Sequence, residues 1–218
     1  MAGLLAANMM RRKKPLVVEA KADLPDLHKA VLRFRNTSVS DVTGIPFEKI
    51  RVDKSMMTER GFVNQPTVFD ANNYSLKATG GLENRSVWNL EKSQRYLAPD
   101  NFVELMASST KINFGIKIGL GDLKSFKEEG DLTISTIPMP IMMGIVGWDS
   151  FIDFKANCKP IWVLRATLKR PLSKIHQTIY NTDISTAWYR GSIHRGDLMI
   201  ECDVDPTTIS DYVVESFI

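Results

Sequence analysis

The spacing of apolar positions changes once within the first twenty residues. Leu4, Leu5, Ala6, Ala7, Met9 and Met10 follow Gly3 as a run of good helix formers, whereas Leu16-Val17-Val18 is a Val-rich, strand-prone run closed by Glu19. Between them Arg11, Arg12, Lys13 and Lys14 bring positive charge to the helix C-terminus, where the macrodipole favours it, and Pro15 prevents the helix from continuing. The pattern predicts a helix, a basic turn and a buried strand that ends in an acid.

Farther along, the periodicity is less uniform. Leu27, Val31 and Phe34 recur near helical spacing, while Val31 to Arg35 also alternates as a strand does, so both readings stay open. Residues 55–90 carry Gly, Asn, Ser and Pro without sustained periodicity and read as loop-rich, with Gly80-Gly81 as a turn signal rather than a phosphate loop. Pro99-Asp100-Asn101 ahead of FVELMASST predicts a capped helix with Phe102, Leu105 and Met106 on its apolar face. Residues 112, 114, 116 and 118 alternate around Gly115 like a short strand, and 120–129 are polar and partly helical. Leu132, Ile134, Thr133 and Thr136 predict a buried strand running from Asp131 to Pro138. From Lys159 the chain turns to successive strand-like runs, with His194-Arg195-Gly196-Asp197 as a hairpin turn. Alternation there faces Tyr189 away from Trp188 and Arg190.

Composition narrows the class. The 218 residues suit one large or two small domains, and 44% hydrophobic with 24% charged residues is ordinary for a globular protein. The balance of 28 Lys+Arg against 25 Asp+Glu gives +3, which argues against a nucleic-acid footprint and leaves Arg11 to Lys14 as a solvated helix end. Cys158 and Cys202 lie in no metal or redox spacing and read as buried, reduced thiols of a cytoplasmic protein. The first charges follow the apolar run, unlike a signal peptide, and the stretch 137–148 is short and contains Pro138 and Pro140, so no membrane span is expected. No metal site is expected either.

The candidate chemistry returns to the beginning. In a dinucleotide-binding βαβ unit a strand runs into G-x-G-x-x-G, a helix follows, and an acid ending the next strand bonds the ribose hydroxyls. Gly3 stands where the third glycine belongs, and Glu19 lies 16 residues beyond it. The first strand and first two glycines are missing, so the chain reads as beginning inside its own motif. The ordinary alternative is a plain helix and strand of an α/β fold.

At AGLLAANMMRR and PLVVEA, and again at DLTISTIPMP, the chain resembles flavoprotein oxidoreductases, the group that includes amine oxidases and UDP-galactopyranose mutase. It is most similar to FAD/NAD(P)-binding oxidoreductase-like proteins of bacteria and bacteriophages, truncated at both ends: residues 211–218 do not resemble the family's final segment. The resemblance implies an α/β fold, with a Rossmann-type FAD/NAD(P)-binding domain whose first strand is missing and an antiparallel β substrate region. Residues 1–54 and 111–150 would form the nucleotide-binding part, 55–110 a loop and helix excursion, and 151–218 the substrate-binding sheet.

It further implies FAD, or alternatively NAD, as cofactor and a small molecule as substrate. Gly3 would pack the helix closely, and Glu19 with Ala20 would hold the adenosine ribose. Arg33 or Arg35 would face a pyrophosphate or anionic substrate, the alternative being surface arginines beside Phe34. Ser135, Thr136, Ile137 and Pro138 would lie near the cofactor. Tyr189 and Arg190 would reach substrate, the alternative being solvent-side pairing. His28 reads as a packed or capping residue, and Phe62, Phe69, Tyr74 and Trp88 as core or as a ligand cover. No general acid or base stands out, and no Ser-His-Asp set or Walker loop supports a hydrolase or kinase. The chain therefore reads as an FAD-dependent oxidoreductase if its full-length form is intact, or else as a non-catalytic relative that binds a nucleotide weakly or serves as an interaction module.

Overall fold

Helix and strand alternate through the first part of the chain, and strands dominate the last. In the computed structural model the elements are α1 (Ala2–Met9), β1 (Leu16–Val18), β2 (Arg33–Phe34), α2 (Ser38–Thr43), β3 (Glu48–Thr58), β4 (Gly61–Val63), α3 (Val68–Thr79), β5 (Ser93–Leu97), α4 (Phe102–Ser108), β6 (Lys111–Asn113), α5 (Leu120–Glu128), α6 (Met139–Val146), β7 (Trp162–Thr167), β8 (His176–Asn181), β9 (Trp188–His194) and β10 (Asp197–Cys202). The structure describes residues 1–24, 31–63, 65–82, 90–129, 132–148, 161–167 and 176–205. His28, Trp88, Asp131, Cys158 and residues 211–218 lie outside them. The protein is mixed α/β and divides into two units, Met1–Glu48 with Tyr96–Asn157 and Lys49–Arg95 with Cys158–Ile218.

In the first unit, α1 is followed by a tight turn over Arg11–Lys13, and Lys14 at φ 50 swings the chain into β1. Strand β1 pairs in parallel with β6, Val17 opposite Ile112. The core beside this pair is built from Leu4, Ala98, Phe102 and Met106, with Phe34, Phe47 and Ile112 packed against it. Phe47 stacks on Phe34 and meets Phe102 edge-on, each with ring centroids 5.2 Å apart. Buried Asn8 ties α1 to α4, donating to its own helix at Leu4 O (3.0 Å) and across to Met106 O (3.3 Å). Helix α4 forms as expected, but no side chain caps it and Leu105 is exposed, so Phe102 and Met106 carry its buried face.

Two expectations change here. The alternating run 112–118 contributes only β6, because Gly115 at φ 74 turns the chain back so that its N–H reaches Lys21 O (2.8 Å). The expected buried strand up to Pro138 does not form: Leu132 to Thr136 have no regular structure, and Leu132 and Ile134 stand 76% and 52% exposed. Extended backbone becomes a strand only beside an edge that offers its N–H and C=O groups, and among the described residues none runs alongside. Pro138 instead opens α6, its carbonyl accepting from Ile141 (2.9 Å) and Met142 (3.0 Å).

In the second unit, β8, β9, β10 and β7 form consecutive antiparallel pairs, and β3 joins β8 in parallel, so the sheet is mixed. One face buries Ile179, Trp188, Ile193, Leu198, Ile200 and Cys202. The other carries α3, whose Ala71 and Tyr74 pack with Met56 and Tyr189. This helix lies in the stretch read as loop-rich. A reciprocal cap starts it, Thr67 N donating to Asp70 Oδ2 (2.8 Å) and Asp70 N to Thr67 Oγ1 (3.2 Å), and Gly80 at φ 76 ends it.

Alternation along β9 is broken. Between Glu201 and Cys202 the register shifts, so that Cys202 faces Trp188 while Glu201 faces Arg190 and Tyr189 is the extra residue. Such a bulge turns two successive side chains to one face. Tyr189 therefore faces away from Trp188, as alternation predicts, but shares Arg190's face, which alternation does not predict.

Candidate functional site

In the first unit the predicted residues fall at three places. Gly3 lies in the first turn of α1, where the N–H groups of Ala2 to Leu4 have no partner inside the helix. A Cβ built on Gly3 would come 3.2 Å from Thr136 Oγ1, so the missing side chain leaves space for the Thr136 hydroxyl at the helix mouth. The structure thus brings together Gly3 and Thr136. Ser135 caps locally, its Oγ accepting from Ile137 N (3.4 Å), and Ile137 and Pro138 lead into α6.

Glu19 stands at the carboxyl end of β1. Its N–H donates to Asn113 O (2.9 Å) and its carbonyl accepts from Ile116 N (3.1 Å), which pins its backbone between β1 and the chain after β6. The carboxylate accepts from Lys21 N (3.0 Å), one bond out of the roughly four such a group can take. Ala20 follows, exposed at the bend. Arg33 is half-buried on β2 opposite Leu97, and Arg35 is exposed on the bend after it. An open depression of about 420 Å³ lies at the other end of α1 from Gly3, lined by Asn8, Met9, Met10, Val42 and the basic turn. Arg11 to Lys14 are exposed there, as a solvated helix end should be.

In the second unit the predicted pair is already engaged. Arg190 Nε donates to Glu201 Oε1 (2.8 Å), and its Nη2 reaches the same oxygen. Burial works against the guanidinium charge, but the Glu201 carboxylate outweighs it and raises the Arg190 pKa. Burial pushes the Tyr189 phenol up strongly, with the Glu201 charge and hydrogen bond adding to it. One carboxylate therefore holds both residues, and both are placed to support Glu201 as much as to meet a ligand.

Sequence reasoning missed the polar rows of this face. Across the sheet, His176, His194, Asp197 and Thr167 lie in one register row, Thr178, Ser192, Met199 and Arg165 in the next, and Tyr180, Arg190, Glu201 and Val163 in the third. His176, His194, Thr178 and Ser192 are buried. The strand-like run STAWYRGSIH hints at such a face, but the pairing follows only from the register.

Lys77 was missed as well. Its Nζ donates to Thr186 Oγ1 (2.9 Å) and to Asp183 O, closing the loop between β8 and β9. Fully buried Asn181 organises the same loop, donating to Thr186 Oγ1 (2.6 Å) and Trp188 O (3.1 Å) and accepting from Asp183 N (3.0 Å). Burial lowers the Lys77 pKa from 10.5 to about 8, against the pull of Asp183 and Asp203, while burial raises the nearby Cys202 thiol to about 11. Cys202 is thus a buried, inert thiol, as expected.

The Lys77 shift has a pH consequence. Between about pH 8 and 10.5 the unfolded chain holds a proton that folded Lys77 has released, so stability from this residue rises with pH across that window. Solvent screening of a half-buried amine reduces the effect to on the order of 1 kcal/mol. Cys202 and Tyr189, whose pKa values are raised, act in the opposite sense, so urea unfolding at both ends of the window should show Lys77→Met falling behind the parent chain as pH rises; an equal pH dependence in both would exclude a contribution from Lys77.

Among the described residues, no group of three His, Cys, Asp or Glu side chains is placed to hold a metal, and no helix is long and apolar enough to cross a membrane. Compared with known proteins, the chain matches no family model and no curated sequence.

Proposed function

We propose that the first unit binds the adenosine end of a dinucleotide, FAD before NAD, and that the protein is an FAD-dependent oxidoreductase-like protein. The observation that carries this reading is Gly3. It sits at the mouth of α1, where a Cβ would come within 3.2 Å of the Thr136 hydroxyl, and the same helix leads through β1 to Glu19 at the strand's carboxyl end. Helix N-terminal N–H groups favour an anionic phosphate, and ligands of parallel sheets bind at the carboxyl ends of strands. Glu19 would accept from ribose hydroxyls, and its charge disfavours a 2′-phosphate. A bound flavin would supply the hydride chemistry; this chain supplies the binding groups.

The second reading, a non-catalytic nucleotide-binding or interaction module, is favoured by the exposed, unpaired Leu132 to Thr136 beside the same helix. Incubation with FAD, desalting and a visible absorption spectrum separate the two. A retained flavin band is expected, with Glu19→Ala weakening binding by about 10–100-fold, the value of charge-assisted hydrogen bonds. Folded protein that retains no flavin would leave the interaction module as the surviving reading.

A further inference from the structure

Four consecutive cations follow the far end of α1, and the proposed nucleotide chemistry uses none of them. Helix α1 closes at Met9 with no basic residue in its last turn, and its closing carbonyls, Ala6 O and Ala7 O, already accept from Met10 N at 3.1 Å. A macrodipole acts on charges within the last turn, so it leaves the run from Arg11 to Lys14 unexplained. These residues form a tight turn of their own. Lys13 N donates to Met10 O (2.7 Å) and Lys14 N to Arg11 O (3.1 Å).

Like charges crowded into one turn repel one another unless an opposite charge answers them. None does so here. Among the described residues no carboxylate forms an ion pair with Arg11, Arg12, Lys13 or Lys14. Asp41, the acid beside Val42 on α2, accepts from Thr37 Oγ1 (2.9 Å) instead.

The turn also borders a space. Arg11, Arg12 and Lys13 line the open depression of about 420 Å³ together with Met9, Met10 and Val42, and no acidic residue joins them among the described residues. That volume lies within the range of small-molecule sites. Asn8 lies on the same lining, and its bonds to Leu4 O and Met106 O tie this wall to α4. The depression therefore has a fixed wall, a cationic side, and an apolar side whose two thioethers adapt to varied shapes.

We propose that this depression binds a small diphosphate ester, its phosphates on Arg11, Arg12 and Lys13 and its organic part against Met9, Met10 and Val42.

The charges agree. A terminal phosphate carries about −1.5 to −2 near neutral pH and the inner phosphate adds to it, which three cations match. The two guanidinium forks bond phosphate oxygens bidentately, and Lys13 adds a point charge. The site is separate from the Gly3 end, because the eight residues of α1 rise about 12 Å between the two.

The test titrates inorganic pyrophosphate into the full chain, labelled with nitrogen-15, at constant ionic strength. Saturable amide shifts are expected at Met9 to Lys14 and Val42. Arg11→Gln and Arg12→Gln should each weaken binding about tenfold or more, the worth of a charge-assisted hydrogen bond, and Arg12→Lys should restore it only in part. All three side chains changed or compared are exposed, so the fold does not depend on them. Shifts confined to Ala2 to Leu4 would place the anion at the Gly3 end and overturn the proposal. An equal response to citrate would reduce the turn to unspecific anion attraction and overturn it as well. So would sedimentation of the chain with phosphatidic acid vesicles in the absence of any response to pyrophosphate, which would assign the turn to a membrane surface.

Discussion

Trp188→Ala is expected to destabilise the protein by about 3–5 kcal/mol, the usual cost of emptying a large aromatic site in a core. Trp188 is fully buried and packs with Ile179, Ile193, Leu198, Ile200 and Cys202, side chains contributed by all three of β8, β9 and β10. Its position at the bulge matters for the size of the effect. The register shift that sets Trp188 opposite Cys202 also turns Tyr189 and Arg190 to the other face, so relaxation around the vacated space is opposed by the Arg190–Glu201 pair. The backbone bond from Asn181 Nδ2 to Trp188 O is unaffected by the change, which isolates the side chain. Urea unfolding followed by circular dichroism measures the loss, with Trp188→Phe as a milder control. A loss below about 1 kcal/mol would mean that the site collapses freely and is not a fixed packing centre.

The parts of this fold that could be read in the sequence are those set by local chemistry. Pro15 and the basic turn do separate α1 from β1, and the turn at Arg195-Gly196 does join β9 to β10. A one-residue insertion on one strand could not be read: nothing in TAWYRGS marks its place, and only its partner β10 reveals the bulge that puts Tyr189 with Arg190. Leu132 to Thr136 failed for a related reason. β-Propensity describes a residue's fit to a sheet, and no described strand offers the segment an edge. Helix α3 was hidden because its inward positions are Ala71, Tyr74 and Ala78, which make a faint stripe, although the Thr67–Asp70 cap was visible in principle. The candidate groups of the second unit depend on contacts far apart in sequence. Lys77 meets Asp183 and Thr186, and His176 meets His194, only once the register is fixed.

Phe102→Ala should cost a similar amount, about 3–5 kcal/mol, and it tests the nucleotide reading as well as the core. Phe102 is 1% exposed, meets Phe47 edge-on with centroids 5.2 Å apart, and packs with Leu4 of α1 and Met106 of α4. Those two helices are also joined through Asn8 and Met106 O, so a cavity at Phe102 loosens the support of the α1 mouth where Gly3 meets Thr136. The side chain is remote in sequence from Glu19 and Gly3, and removing it takes away no proposed ligand contact. A ligand that binds only the folded form restores stability by mass action, about 2.7 kcal/mol at one hundred times its dissociation constant. If the first unit binds FAD, adding it should therefore raise the unfolding midpoint of Phe102→Ala, and Glu19→Ala in the same background should abolish most of that rise. Rescue that persists without Glu19 would place the flavin elsewhere, because the coupling between a ligand and the fold must run through the groups that hold it.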